Sequence, residues 1–76
     1  MLYWRQNNVV YVQWQLSDIV NGRVLNRVKE GLMAELCVAE GCFYFPPEMP
    51  TILMITTLSE EQAKRIMKWI KKDFVL

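Results

Sequence analysis

The sequence has no histidine, only two cysteines (Cys37 and Cys42) and only three glycines among its 76 residues. Without histidine, the side chain that ordinarily titrates near neutral pH is missing, so a general acid or base would have to be a perturbed carboxylate, a lysine or a cysteine. Two thiols cannot close a structural zinc site within one chain. There is no glycine-rich phosphate loop, Walker sequence or nucleophile elbow. Glu30, Glu35 and Glu40 recur every five residues, so on a helix they spiral around the axis and form no carboxylate pair. Cys42, beside Gly41 near an expected helix end, is the one plausible nucleophile, but a helix C-terminus disfavours a thiolate. The chain is therefore expected to be non-enzymatic, with no cofactor or metal, and its cysteines to be reduced and buried.

Charge of one sign and long apolar runs are also scarce. The net charge is +1, divided into −1 over residues 1 to 58 (four basic, five acidic) and +2 over residues 59 to 76 (five basic, three acidic). That is no whole-chain basic footprint for nucleic acid. The longest apolar stretch falls far short of the roughly 20 residues that a bilayer crossing needs, and the N-terminus lacks the basic-then-apolar order of a signal peptide. A soluble, cytoplasmic protein is expected.

What the chain does have is apolar and aromatic bulk. Its residues are 53% hydrophobic, with three Trp, three Tyr and three Phe, which favours folding over disorder. Residues 1 to 76 are expected to form a single α+β domain. A domain of this size buries only about 60% of its unfolded surface, so part of the apolar surface is expected at an interface.

The organising stretch is Thr51 to Trp69. Residues 51 to 57 form an apolar, β-branched run with apolar groups on both faces (Ile52, Leu53, Met54, Ile55), as in a central strand. Ser59 then caps a helix, with Gln62 three residues on able to reach back to it. In that helix Ala63, Ile66, Met67, Ile70 and Phe74 share one arc and face the core. Lys64, Arg65, Lys68, Lys71 and Lys72 occupy the opposite arc, either as a solvated face or as a docking site for phosphate or an acidic partner. Trp69, at the border of the two arcs, is either a flap over the core rim or an interaction anchor.

At the N-terminus, residues 2 to 5 and 9 to 16 read as a hairpin turning at Gln6-Asn7-Asn8, since asparagine tolerates positive φ. In the second strand Val10, Val12, Trp14 and Leu16 point to the core, and Tyr11, Gln13 and Gln15 point away. A helix is expected from about residue 20 to 39, stopping at Gly41, with Val20, Val24, Leu25, Val28, Leu32 and Leu36 on one side. Asn21-Gly22 offers a competing hairpin turn, with a shorter helix from Asn26. Residues 42 to 45 are strand-like, and the three prolines at 46, 47 and 50 make a stiff turn.

The order strand, helix, strand, strand, helix is that of a two-layer α+β sandwich with both helices on one side of an antiparallel or mixed sheet. By pattern it resembles ferredoxin-like folds. That resemblance implies a fourth strand beside the first, for which residues 2 to 5 are the candidates, through their hairpin. The sheet face away from the helices would present Tyr11, Gln13, Tyr44 and Met54, more apolar than open water favours. It is expected to pack on itself in a homodimer, to bind a partner protein, or to stack unpaired bases of a single-stranded nucleic acid with the help of the helix lysines. The expected role is that of a small regulatory interaction module. Its candidate contacts are Tyr11, Gln13, Tyr44 and Met54 on the sheet, and Lys64, Lys68, Trp69 and Lys72 on the helix.

Overall fold

The computed structural model describes residues 1–13, 24–49 and 51–74. Within them the chain forms β1 (Leu2–Gln6), β2 (Val9–Gln13), α1 (Val24–Leu36), a 3-10 turn (Glu40–Cys42), β3 (Phe43–Tyr44), β4 (Ile52–Thr56) and α2 (Glu60–Phe74). The expectations for Trp14, Gln15, Leu16 and Val20, and the choice between turn and helix at Asn21-Gly22, lie outside the described residues.

The four strands make one antiparallel sheet in the order β1-β2-β4-β3. Residues 2 to 6 take the edge beside β2, where the hairpin was expected to put them. The turn is shorter than expected. Gln6 belongs to β1 and pairs with Val9, leaving Asn7 and Asn8 as a two-residue loop in which Asn7 has a positive φ of 55°. Asparagine accommodates that backbone better than most side chains. The Thr57 amide and hydroxyl both donate to the Asn8 carbonyl, tying the loop to the end of β4.

One core lies between the sheet and the two helices. The strands supply Val10, Val12, Leu53 and Ile55, α1 supplies Val24, Leu25, Val28 and Leu32, and α2 supplies Ala63, Ile66 and Ile70. These positions follow the period of two in the strands and of about 3.6 in the helices. No polar or charged side chain is buried among the described residues.

The start of α2 follows the expected cap with one change. Ser59 Oγ accepts from the Gln62 amide at 3.1 Å, but Gln62 Oε1 accepts from the Leu58 amide at 2.8 Å, one residue before the serine. Both amides at the helix entrance are satisfied. Ion pairs at 3.6 Å then bind Glu60 to Arg5 of β1 and to Lys64 one turn along.

The end of α1 corrects the sequence reading. The helix stops at Leu36, not near residue 39. Cys37 adopts φ 55°, and the Val38 amide turns back to the Leu32 carbonyl at 3.2 Å. The bond reaches from residue 38 back to residue 32, one residue further than the six-to-one bond of a Schellman ending, around a left-handed residue, and Val38 is buried in the same core as Leu32. The pull of Val38 into the core ends the helix before Gly41 is reached. Cys37 is thereby exposed and Cys42 half-buried, so the expectation of two buried thiols is overturned. β3 is also shorter than expected, at two residues, and Lys29 of α1 reaches across to it, over the Phe43 ring at 5.8 Å.

A cysteine held in the left-handed region costs on the order of 1 kcal/mol relative to glycine. Cys37→Gly is therefore expected to raise the thermal midpoint by a few degrees with an unchanged urea m-value. Equal or lower stability by thermal and urea unfolding would contradict this account of the helix end.

Candidate functional site

The pairing register decides which side chains share the sheet face turned away from the helices. Tyr11 lies opposite Trp4 on one side and Met54 on the other, and Met54 lies opposite Tyr44. Trp4, Tyr11, Met54 and Tyr44 therefore form a single row across all four strands. A second row joins Leu2, Gln13 and Ile52, and a third joins Gln6, Val9 and Thr56.

The Trp4 and Tyr11 rings stack at 5.3 Å between centroids, with planes 8° apart. Leu2 and Tyr44 are 49% and 51% exposed. Trp4, Tyr11, Gln13 and Met54 are half-buried, whereas Ile52 is buried. No charged residue stands in any of the three rows, so among the described strand positions the face is neutral throughout.

The four sheet candidates, Tyr11, Gln13, Tyr44 and Met54, thus lie together on this face. Sequence reasoning missed Trp4 and Leu2. The signal was the two-residue loop, which pairs position 6 with 9 and hence 4 with 11 and 2 with 13.

The helix candidates stand elsewhere, on the other layer. Lys64 is engaged with Glu60 at 3.6 Å. Lys68 and Lys72 are exposed, and with Arg65, Leu36 and Trp69 they border an open groove between the helices. Trp69 is turned to its own chain: its indole N–H donates to Glu35 Oε2 at 3.0 Å, and its ring lies against Phe74 at 5.2 Å. The six-membered ring also lies directly over Gly31, where an added Cβ would sit 2.6 Å from two ring carbons. Gly31 is the gap in α1 that admits the tryptophan, and Trp69 covers the seam between the helices.

No group of three or more His, Cys, Asp or Glu residues that could hold a metal ion occurs among the described residues. No described helix is long and apolar enough to cross a membrane. The chemistry available on the sheet side is that of apolar contact, aromatic stacking and neutral hydrogen bonding.

Gly31→Ala tests the helix seam. Overpacking costs about 1–3 kcal/mol and alanine returns about 1 kcal/mol of helix propensity, so a net loss on the order of 1 kcal/mol is expected in urea unfolding. In a Trp69→Leu background the same change is expected to be neutral or stabilising, and equal losses in both backgrounds would refute the contact.

Comparison of the chain with family models, with curated proteins and with solved structures finds no match.

Proposed function

We propose that this chain is a small, non-enzymatic regulatory module that binds or inhibits another macromolecule through its open sheet face and also self-associates. The observation that carries the reading is the uncharged row Trp4, Tyr11, Met54 and Tyr44, flanked by the half-exposed Leu2. A contiguous apolar and aromatic surface of this kind on a small domain marks a contact site. Aromatic rings anchored in a sheet provide contact area with little entropy left to lose on binding. The arrangement proposed is ferredoxin-like, with the N-terminal hairpin strand in the place of the usual last strand. It supports the reading by putting both helices on one side and leaving the other side free. A soluble, cytoplasmic setting suits an interaction module with two thiols.

The second reading is a single-stranded nucleic-acid binder, favoured by the stacked Trp4 and Tyr11. Against it stands the placement of charge. The exposed Arg65, Lys68 and Lys72 lie on α2, in the other layer, while phosphate contacts dominate nucleic-acid affinity. We favour a protein partner.

A photo-reactive phenylalanine analogue placed at Met54, and separately at Lys68, tests the reading in the producing cell. Covalent adducts are expected at position 54, to be absent at 68, and to disappear when Tyr11→Glu puts a charge into the row. Adducts at 68 alone, or none at 54, would sink the sheet-face proposal. Retention of labelled single-stranded RNA or DNA at low salt, lost on adding salt, would replace it with the nucleic-acid reading.

A further inference from the structure

The two edges of the sheet are unlike. β3 is two residues long and runs within two residues into Pro46-Pro47, which keeps that edge short and poor in donors. β1 has five residues in unbroken register with β2, without proline, lysine or bulge. Edge strands without such protection are templates for further pairing. The one charge in β1, Arg5, is drawn to the helix side by Glu60 at 3.6 Å.

The direction of the β1 backbone follows from the register. Thr57 donates to the Asn8 carbonyl, so the pair 8 and 57 is hydrogen-bonded, and by alternation so are Val10 with Ile55 and Val12 with Leu53. Val9, Tyr11 and Gln13 therefore turn their backbone groups towards β1, where they meet Gln6, Trp4 and Leu2. The N–H and C=O groups of Tyr3 and Arg5 are left pointing outward from the sheet edge. They stand symmetrically about Trp4.

We infer that two copies of this chain join through β1, antiparallel about a two-fold axis at Trp4, to make one sheet of twice the four strands seen here. Tyr3 pairs with Arg5 of the partner subunit and Arg5 with Tyr3 of the partner subunit, giving about four new backbone hydrogen bonds. Every outward group then finds a counterpart, as an isologous interface requires. Arg5 meets a tyrosine and no like charge, so two identical edges pair without repulsion, and the outward groups, symmetric about Trp4, match those of a second copy. Trp4 meets Trp4 of the partner subunit on the uncharged side, so the row from Tyr44 to Trp4 continues unbroken into the second molecule. This rests on the self-association in the reading above and gives it a location: the edge joins the copies, and the face of both stays available for the partner.

Amide exchange in the unaltered chain tests this directly, beside light scattering over a range of concentrations. The amides of Tyr3 and Arg5 are expected to slow at least tenfold as the mass rises to that of a dimer. A mass that stays monomeric up to millimolar concentration, or a dimer in which both amides still exchange freely, would overturn the inference. Arg5→Pro removes one outward donor without touching the β1–β2 ladder and is expected to give a folded monomer; a persistent dimer would be a contrary result. Cysteine placed at position 4, with Cys37 and Cys42 replaced by serine, is expected to oxidise to a linked dimer. The two Cα atoms of a central non-hydrogen-bonded pair lie about 4.5 Å apart, within disulfide reach. Cysteine at position 5 would be about 8 Å from its copy and is expected to stay unlinked. A dimer abolished by Met54→Glu, with linkage at 54 and not at 4, would mean face-to-face packing and defeat edge pairing while leaving the sheet-face reading intact.

Discussion

Pairing of β2 with β4 is the constraint on which the rest of this molecule depends. Val10 opposite Ile55 and Val12 opposite Leu53 are all fully buried, and they form the floor on which both helices rest. Because side chains alternate along a strand, placing these four inward commits Tyr11 and Met54 to the other side. A slip of one residue would bury the aromatic row and expose the valines. Truncating a floor residue such as Leu53 would cost roughly 2–5 kcal/mol, a large share of the stability of so small a domain. The composition of the open face is thus a by-product of how strongly the core face is specified.

The helix layer is closed by a different device. Trp69 is too large to enter the core and too apolar to lie free, and it bridges the two helices over the gap at Gly31. Its indole N–H is satisfied by Glu35, so its polar end needs no water-filled pocket. With Arg5 and Glu60 joining β1 to the start of α2, and Trp69 bonded to Glu35 of α1, the second helix is held to both the sheet and the first helix. The exposed ion pair contributes little, about 1 kcal/mol or less. Its geometry nonetheless draws the one charged side chain of β1 to the helix side.

Much of this was legible in the residues because local and global preferences agree there. The apolar run before Ser59, its cap and the arc from Ala63 to Phe74 gave strand, helix and buried face with only a one-residue shift in the Gln62 bond. The α+β class and the edge position of the first strand were legible too. Three things were not. The end of α1 depends on Val38 being drawn beside Leu32, a tertiary contact, so the glycine signal at Gly41 misled. The contacts of Trp69 depend on Gly31 in another element, and a glycine inside a helical pattern gives no hint of what will lie over it. Trp4 was overlooked because its partner is set by the length of the loop at Asn7-Asn8, which a reading of Gln6 as turn obscured.

The neutrality of the open face has a consequence for the conditions under which it can act. Its described residues are aliphatic, amide, hydroxyl or aromatic, with no carboxylate, amine or guanidinium among them. A contact made there has no ion pair to form or lose, and ionic atmosphere has no charge on the face to screen. Recognition through this surface would be governed by shape and temperature, and would owe little to the salinity of its surroundings.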